Sequence, residues 1–304
     1  IGMLFLGFSA GVPILLIFST LSVWLAEAEV TRSTIGFFSW AALGYGFKFV
    51  WAPLVDRLPV PLLTRWLGRR RSWLLVAQIT IIVALLLMGQ TDPMVHLNNM
   101  AVWAVLLGFS SATQDIVIDA YRIEAANEEL QGLMSSTYIA GYRVGMLVAG
   151  AGALELAGLL DYAQGYDYQA WAWTYVVMAG VMLVGVVTTM VIDEPIGTVP
   201  DEDVNITEDY IRFVAIFIIA VCTFVGVFWS TAYLAGTTKA LLINFGWIKQ
   251  LSSFVVEGLR LTIAVLGAGT GGWLAIRLGV APEAAVRRAY LGPISDFFSR
   301  YGKK

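Results

Sequence analysis

Residues 101–122 read Ala101-Val102-Trp103-Ala104-Val105-Leu106-Leu107-Gly108-Phe109-Ser110-Ser111-Ala112-Thr113-Gln114-Asp115-Ile116-Val117-Ile118-Asp119-Ala120-Tyr121-Arg122. The first half is uncharged and apolar, and the second carries two aspartates and an arginine without losing its Ile and Val. Ser111, Asp115, Asp119 and Arg122 follow one another at helical steps, so all four share one stripe of an α-helix, and Gly108 continues it. At about 1.5 Å rise per residue, Asp115 lies roughly 6 Å from the middle of a membrane-spanning helix placed here. An aspartate at that depth costs on the order of 3 kcal/mol. It therefore does not face lipid. It looks into a polar cavity, pairs with a cation, or carries a proton. A carboxyl withdrawn from water in this way loads and unloads a proton as its surroundings change, which is the physical basis of proton coupling.

The rest of the chain has the composition such a helix needs around it. Of 304 residues, 58% are hydrophobic and 13% charged, and the mean hydropathy is +0.75. A soluble fold has too little interior for that much apolar surface, and lipid is the cheaper solvent for it. The net charge of −3 gives no reason to expect nucleic acid. One cysteine, Cys222, and one histidine, His96, exclude a disulfide framework and argue against a His/Cys metal site. No phosphate-binding loop and no nucleophile elbow is present, so neither a cofactor nor enzyme chemistry is expected.

A spanning helix takes ~20 mostly apolar residues. The sequence predicts such helices at Ile1–Leu25, Ile35–Leu54, Trp73–Met88, Met100–Ile123, Leu133–Leu156, Trp171–Ile192, Ile211–Leu234 and Phe254–Gly279. Thr237–Lys249 mixes lysines with large apolar residues and reads as an amphipathic segment at the membrane interface. The division expected is a six-helix bundle over 1–192, an acidic cytoplasmic linker over 193–210, two further helices with the interfacial segment over 211–280, and a basic lead-in over 281–304. Arginines crowd the loop after the second helix, whereas the loops after the third and fifth carry no Lys or Arg. That asymmetry puts the arginine loop in the cytoplasm. Lys239, Lys249 and Arg260 then fall on or near the far side, against the rule.

Other deep polar residues have two readings each. Lys48 either snorkels to the inner interface or binds substrate. Arg143, nearer mid-helix, is a counter-ion for a substrate anion or a carboxylate, or a structural residue. Gln114 hydrogen-bonds a sugar or peptide, or packs. Tyr138 and Tyr142 share a stripe that stacks on a sugar or simply fills space. Asp115 is the candidate for protonation, and a static ion pair with Arg122, Lys48 or Arg143 is its alternative. Asp119 and Arg122, closer to the cytoplasmic end, read as a structural or gating pair. Gly141, Gly145 and Ala149 make a small-residue stripe suited to close helix contact.

Ala52-Pro53-Leu54-Val55-Asp56-Arg57 followed by Gly68-Arg69-Arg70-Arg71 resembles the Asp-Arg…Gly-Arg-Arg signature of the major facilitator superfamily, here interrupted by Leu58–Leu67. The run Ser111–Arg122 with Glu124, the opening Leu6-Gly7-Phe8-Ser9-Ala10-Gly11-Val12-Pro13, and Phe47–Arg57 resemble its muropeptide permease (AmpG-type) branch. The resemblance implies an all-α polytopic membrane protein, a six-helix bundle plus two additional transmembrane helices. It also implies a cytoplasmic latch of Asp56, Arg57, Arg69, Asp119 and Glu124. The implied activity is proton-driven import of anhydromuropeptides across a bacterial inner membrane for peptidoglycan recycling. A related branch handles acetyl-CoA, so another solute such as a drug or an acyl-CoA-like molecule is the alternative, with a non-transporting scaffold as a second one. Implied partners are the muropeptide substrate, protons and the bilayer, and a second six-helix half beyond Lys304 is expected to be needed for transport.

Overall fold

The computed structural model describes residues 1–38, 43–48, 51–162, 166–195 and 206–280, and the described residues form helices and connecting turns with no strand. The elements are α1 (Gly2–Glu27), α2 (Arg32–Phe38), α3 (Leu43–Phe47), α4 (Ala52–Arg57), α5 (Thr64–Leu67), α6 (Arg69–Gly89), α7 (Pro93–Ala125), α8 (Glu129–Leu160), α9 (Tyr168–Val191), α10 (Ile206–Ser230), α11 (Ala232–Asn244) and α12 (Lys249–Arg277). The chain divides into two compact units, Ile1–Val199 and Pro200–Lys304.

Among the described residues six helices are long and apolar enough to cross a membrane, or seven if the bent pair α10–α11 is one span. The second expected span, Ile35–Leu54, is divided among α2, α3 and α4, and parts of it, 39–42 and 49–50, lie outside the described residues. Pro53 sits in the first turn of α4 and opens a new helix there. Large apolar side chains such as Val105, Leu147 and Val187 face outward at 57%, 66% and 60% exposure, as lipid-facing positions do.

In the first unit α1 and α8 meet backbone to backbone. A Cβ on Gly141 would stand 1.9 Å from the Leu4 carbonyl oxygen, and one on Gly7 would stand 2.2 Å from that of Tyr138. Glycines at this contact let the helices approach closely, which is how helices associate where lipid removes the hydrophobic drive between them. Both helices widen into a π turn, Leu16–Thr20 and Val148–Gly152, and the Thr20 hydroxyl donates to the Ala149 carbonyl at 2.8 Å. Asp92 caps α7 through the Met94 amide at 2.9 Å, and Pro93 takes the first helical position. The core gathers around Trp24, which stacks on Trp171 at 5.7 Å and tilts against Tyr175 at 4.9 Å.

In the second unit α10 packs on α12, with Gly267 against Val227 and Gly271 against Thr223. α10 and α11 are bent 42° from one another at Thr231. The Arg260 guanidinium donates to the Phe228 carbonyl at 2.6 Å, and the Thr231 hydroxyl donates to Val227 at 2.9 Å. Side-chain donors entering the ladder in this way are a known cause of such bends. The segment expected as a separate interfacial helix is thus largely α11, directly continuing α10. Lys239 and Arg260, two of the three cations that break the charge rule, both pair with the buried Glu257, Arg260 at 2.6 Å.

Candidate functional site

The interrupted arginine loop becomes one tight knot. Gly68 adopts φ +84°, open to glycine, and is the residue before α6. The Glu194 carboxylate accepts the first-turn amides of Arg70 and Arg71 at 2.7 and 3.0 Å, where helix N-termini have unsatisfied donors and favour negative charge. A Cβ on Gly68 would stand 2.3 Å from Glu194 Cδ. This start to α6 aims Arg70 inward. Its guanidinium, 5% exposed as a residue, donates to Glu124 at 2.9 and 2.5 Å and to Asp56 at 2.7 Å, tying α4, α6 and α7 together. Arg71 turns back to the Thr189 and Met190 carbonyls at the end of α9.

The sequence-derived latch is therefore half assembled. Asp56 and Glu124 are in the knot, while Arg69 reaches only 3.6 Å from Glu124. The Arg57 side chain lies outside the described residues. Asp119 does not join; it pairs with Lys48 at 3.9 Å and with Arg122 at 3.6 Å. Arg122 also donates to Ser135 of α8 at 2.6 Å. The central residues, Arg70 and Glu194, were missed; the runs Gly68–Arg71 and Asp193-Glu194-Pro195 were visible, but only folding pairs them.

Two turns deeper, Asp115 is surrounded by phenols. Tyr45 from α3 and Tyr138 and Tyr142 from α8 all stand in its electrostatic field. Lys48 and Asp119 complete the charged surroundings of Asp115. Tyr45 donates to Ser111 at 2.7 Å, and the Tyr138 and Tyr142 rings lie 5.9 Å apart. Asp115 Oδ1 is enclosed and has no hydrogen-bond partner. Four expected residues, Asp115, Lys48, Tyr138 and Tyr142, thus converge. Tyr45 is the addition, and no spacing signal links α3 to α7.

Two expected substrate residues do not converge. Gln114 follows the helix about 100° away from Asp115. It is fully buried and donates to Ser9 at 3.3 Å, which puts it in the packing with α1. Arg143 is exposed, with its guanidinium 4.0 Å from Met146 Sδ on its own helix.

At the other end of α6 a second polar set ties three segments. Trp24 donates to the Tyr166 hydroxyl at 3.1 Å, and that hydroxyl donates to Asp92 at 3.0 Å. Burial pushes the Tyr166 hydroxyl pKa up, and Asp92 beside it adds to the shift. Trp171 donates to Glu27 at 2.7 Å.

Comparison with known proteins matches residues 3–294 to the family described as Major Facilitator Superfamily. The putative transporter AmpG 4 of Rickettsia felis is 32% identical over 289 residues, which is 90% of this chain and 67% of that protein. The chain belongs to the Major Facilitator Superfamily. Its branch is the AmpG type, and this superfamily consists of membrane transporters, not enzymes. The anhydromuropeptide permease of Escherichia coli K12 is 39% identical over 198 residues, covering 65% of this chain and 38% of the permease. A third AmpG-type relative, the putative transporter AmpG 3 of Rickettsia prowazekii, is 29% identical over 92% of this chain and 68% of its own length. Within this multi-pass superfamily chain the Arg70 knot and the Asp115 cluster are linked through α7, which carries Glu124 of the one and Asp115 of the other with Asp119 and Arg122 between them.

Proposed function

We propose that the full-length protein imports anhydromuropeptides, GlcNAc-anhydroMurNAc with or without peptide, across the bacterial inner membrane and couples this to proton entry. The observation that carries the reading is Asp115: a carboxyl among three tyrosines with one enclosed oxygen that no donor serves. An enclosed oxygen without a partner costs more on an ionised carboxylate than on a neutral carboxyl, which suits a group that carries a proton for part of the cycle. Tyr138 and Tyr142 line the same side and suit the ring of a sugar acid, and Lys48, paired with Asp119, supplies the positive charge that balances an anionic cargo. The Arg70 knot, with Asp56, Arg69 and Glu124, acts as a gate that breaks and re-forms as two bundles rock about a central site. Arg57 is assigned to the same gate. Asp119 and Arg122 bridge gate and site. The name of the Escherichia coli relative supports the cargo.

The test is uptake of labelled GlcNAc-anhydroMurNAc into proteoliposomes bearing the full-length protein, with and without a protonophore. Uptake that collapses with the protonophore, and collapses in Asp115→Asn, is expected. Uptake indifferent to the protonophore ends the coupling reading, and unchanged uptake in Asp115→Asn ends the assignment of the residue.

A further inference from the structure

Resting on that reading, the charge arrangement around Asp115 points to how coupling is enforced. Asp115 and Asp119 lie one turn apart on α7, about 6 Å along its axis. Asp119 holds two cations, Lys48 at 3.9 Å and Arg122 at 3.6 Å, while among the described residues Asp115 has no ion pair. The Lys48 contact is long, and its side chain is 37% exposed against 51% for Asp119, so it is a weak tether. Lys48 already stands in the field of Asp115, and its flexible four-carbon stem spans about one helical turn. The other groups facing the pair are Tyr45 on α3, Arg122 on α7, and Tyr138 and Tyr142 on α8.

We propose that Lys48 is the charge-balancing residue of the site: it sits on Asp119 while Asp115 holds a proton and crosses to Asp115 once that proton leaves. Arg122 keeps Asp119 neutral in both states. With Asp115 protonated, Lys48, Arg122 and Asp119 leave one positive charge, which a cargo with a single carboxylate cancels. With the cargo gone and the proton released, two acids face two cations. The site is neutral when full and neutral when empty, but not with a proton alone or a cargo alone. Proton and anion binding therefore favour one another, and only balanced states cross the low-dielectric interior. For the cargo without peptide, which has a single carboxylate, one proton enters with one anion and no net charge moves.

The experiment compares wild type, Lys48→Met, Lys48→Arg and the charge-compensated Lys48→Met/Asp119→Asn in proteoliposomes of the full-length carrier, using labelled GlcNAc-anhydroMurNAc, which has one carboxylate. Net uptake driven by a pH gradient is measured beside exchange of internal for external cargo, during which Asp115 keeps its proton. By the same charge count Lys48→Met leaves the site at one negative charge both full and empty, so net uptake and exchange should each fall about tenfold or more; Lys48→Arg should restore most of both, and Lys48→Met/Asp119→Asn, neutral again in both states, should raise both at least about threefold over Lys48→Met. No recovery in a well-folded Lys48→Met/Asp119→Asn overturns the proposal and makes Lys48 a cargo ligand; unchanged net uptake in Lys48→Met overturns it outright. A second measurement needs no variant: wild-type uptake should follow a pH gradient and ignore an imposed potassium diffusion potential, and a response to the potential overturns electroneutral balance. Failure of the parent reading is seen separately, as wild-type uptake that ignores the pH gradient.

Discussion

Replacing Arg70 by Ala removes the cation that joins α4, α6 and α7, and its effect should far exceed that of Arg69→Ala. Arg70 makes three short charge-assisted hydrogen bonds, at 2.9, 2.5 and 2.7 Å, from a position only 5% exposed. Breaking a buried pair by deleting one partner costs about 3–5 kcal/mol, because the other charge is stranded. Here the stranded acids have some recourse to water, since the side chains of Glu124 and Asp56 are 23% and 46% exposed. The expected loss is therefore lower, about 2–4 kcal/mol. Arg69 makes one contact at 3.6 Å from a side chain 21% exposed, and its removal should cost less than about 1 kcal/mol. The assay is denaturant unfolding of the full-length protein in detergent micelles, followed by tryptophan fluorescence, for both variants, for Glu124→Ala and for the Arg70→Ala/Glu124→Ala pair. The double variant should recover part of the sum, a coupling of about 1–3 kcal/mol. Equal losses for Arg69→Ala and Arg70→Ala, or strict additivity of Arg70 with Glu124, would refute the geometry of the knot.

Four further outcomes follow from named contacts. Gly68→Ala forces a positive φ on a side chain and drives a methyl into Glu194, so it should destabilise by about 1–3 kcal/mol and lower transport with it; thermal unfolding and uptake check this together. Gly141→Leu cannot fit against Leu4 without parting α1 from α8, and a cysteine cross-linking pair across that contact should lose efficiency while the same pair in wild type keeps it. Glu257→Gln removes the carboxylate shared by Lys239 and Arg260, and the second unit should lose about 2–4 kcal/mol in denaturant unfolding, with Glu257→Gln/Arg260→Met losing less. Tyr166→Phe deletes the hydroxyl between Trp24 and Asp92 and should cost about 1 kcal/mol, read as a shift in denaturation midpoint at unchanged slope.

The linear chain determined that this is a bundle of membrane helices, because runs of about 20 apolar residues have one economical solvent. It also determined that Ser111, Asp115, Asp119 and Arg122 share a stripe of α7, since helical spacing is a property of the chain alone. The glycine stripe of α8 was legible on the same ground, though its partner, the backbone of α1 at Leu4 and Phe8, was not. Tertiary structure alone decided which way each stripe faces. Gln114 and Asp115 are neighbours in sequence, yet one is locked against Ser9 and the other opens among Tyr45, Tyr138 and Tyr142. Arg70 displaced Arg69 from the centre of the knot because Gly68 and Glu194 set where α6 begins, and one residue of phase turns a helical side chain by about 100°. Spacing fixes the relative angles of side chains on one helix; the rotation of that helix within the bundle comes only from what it packs against.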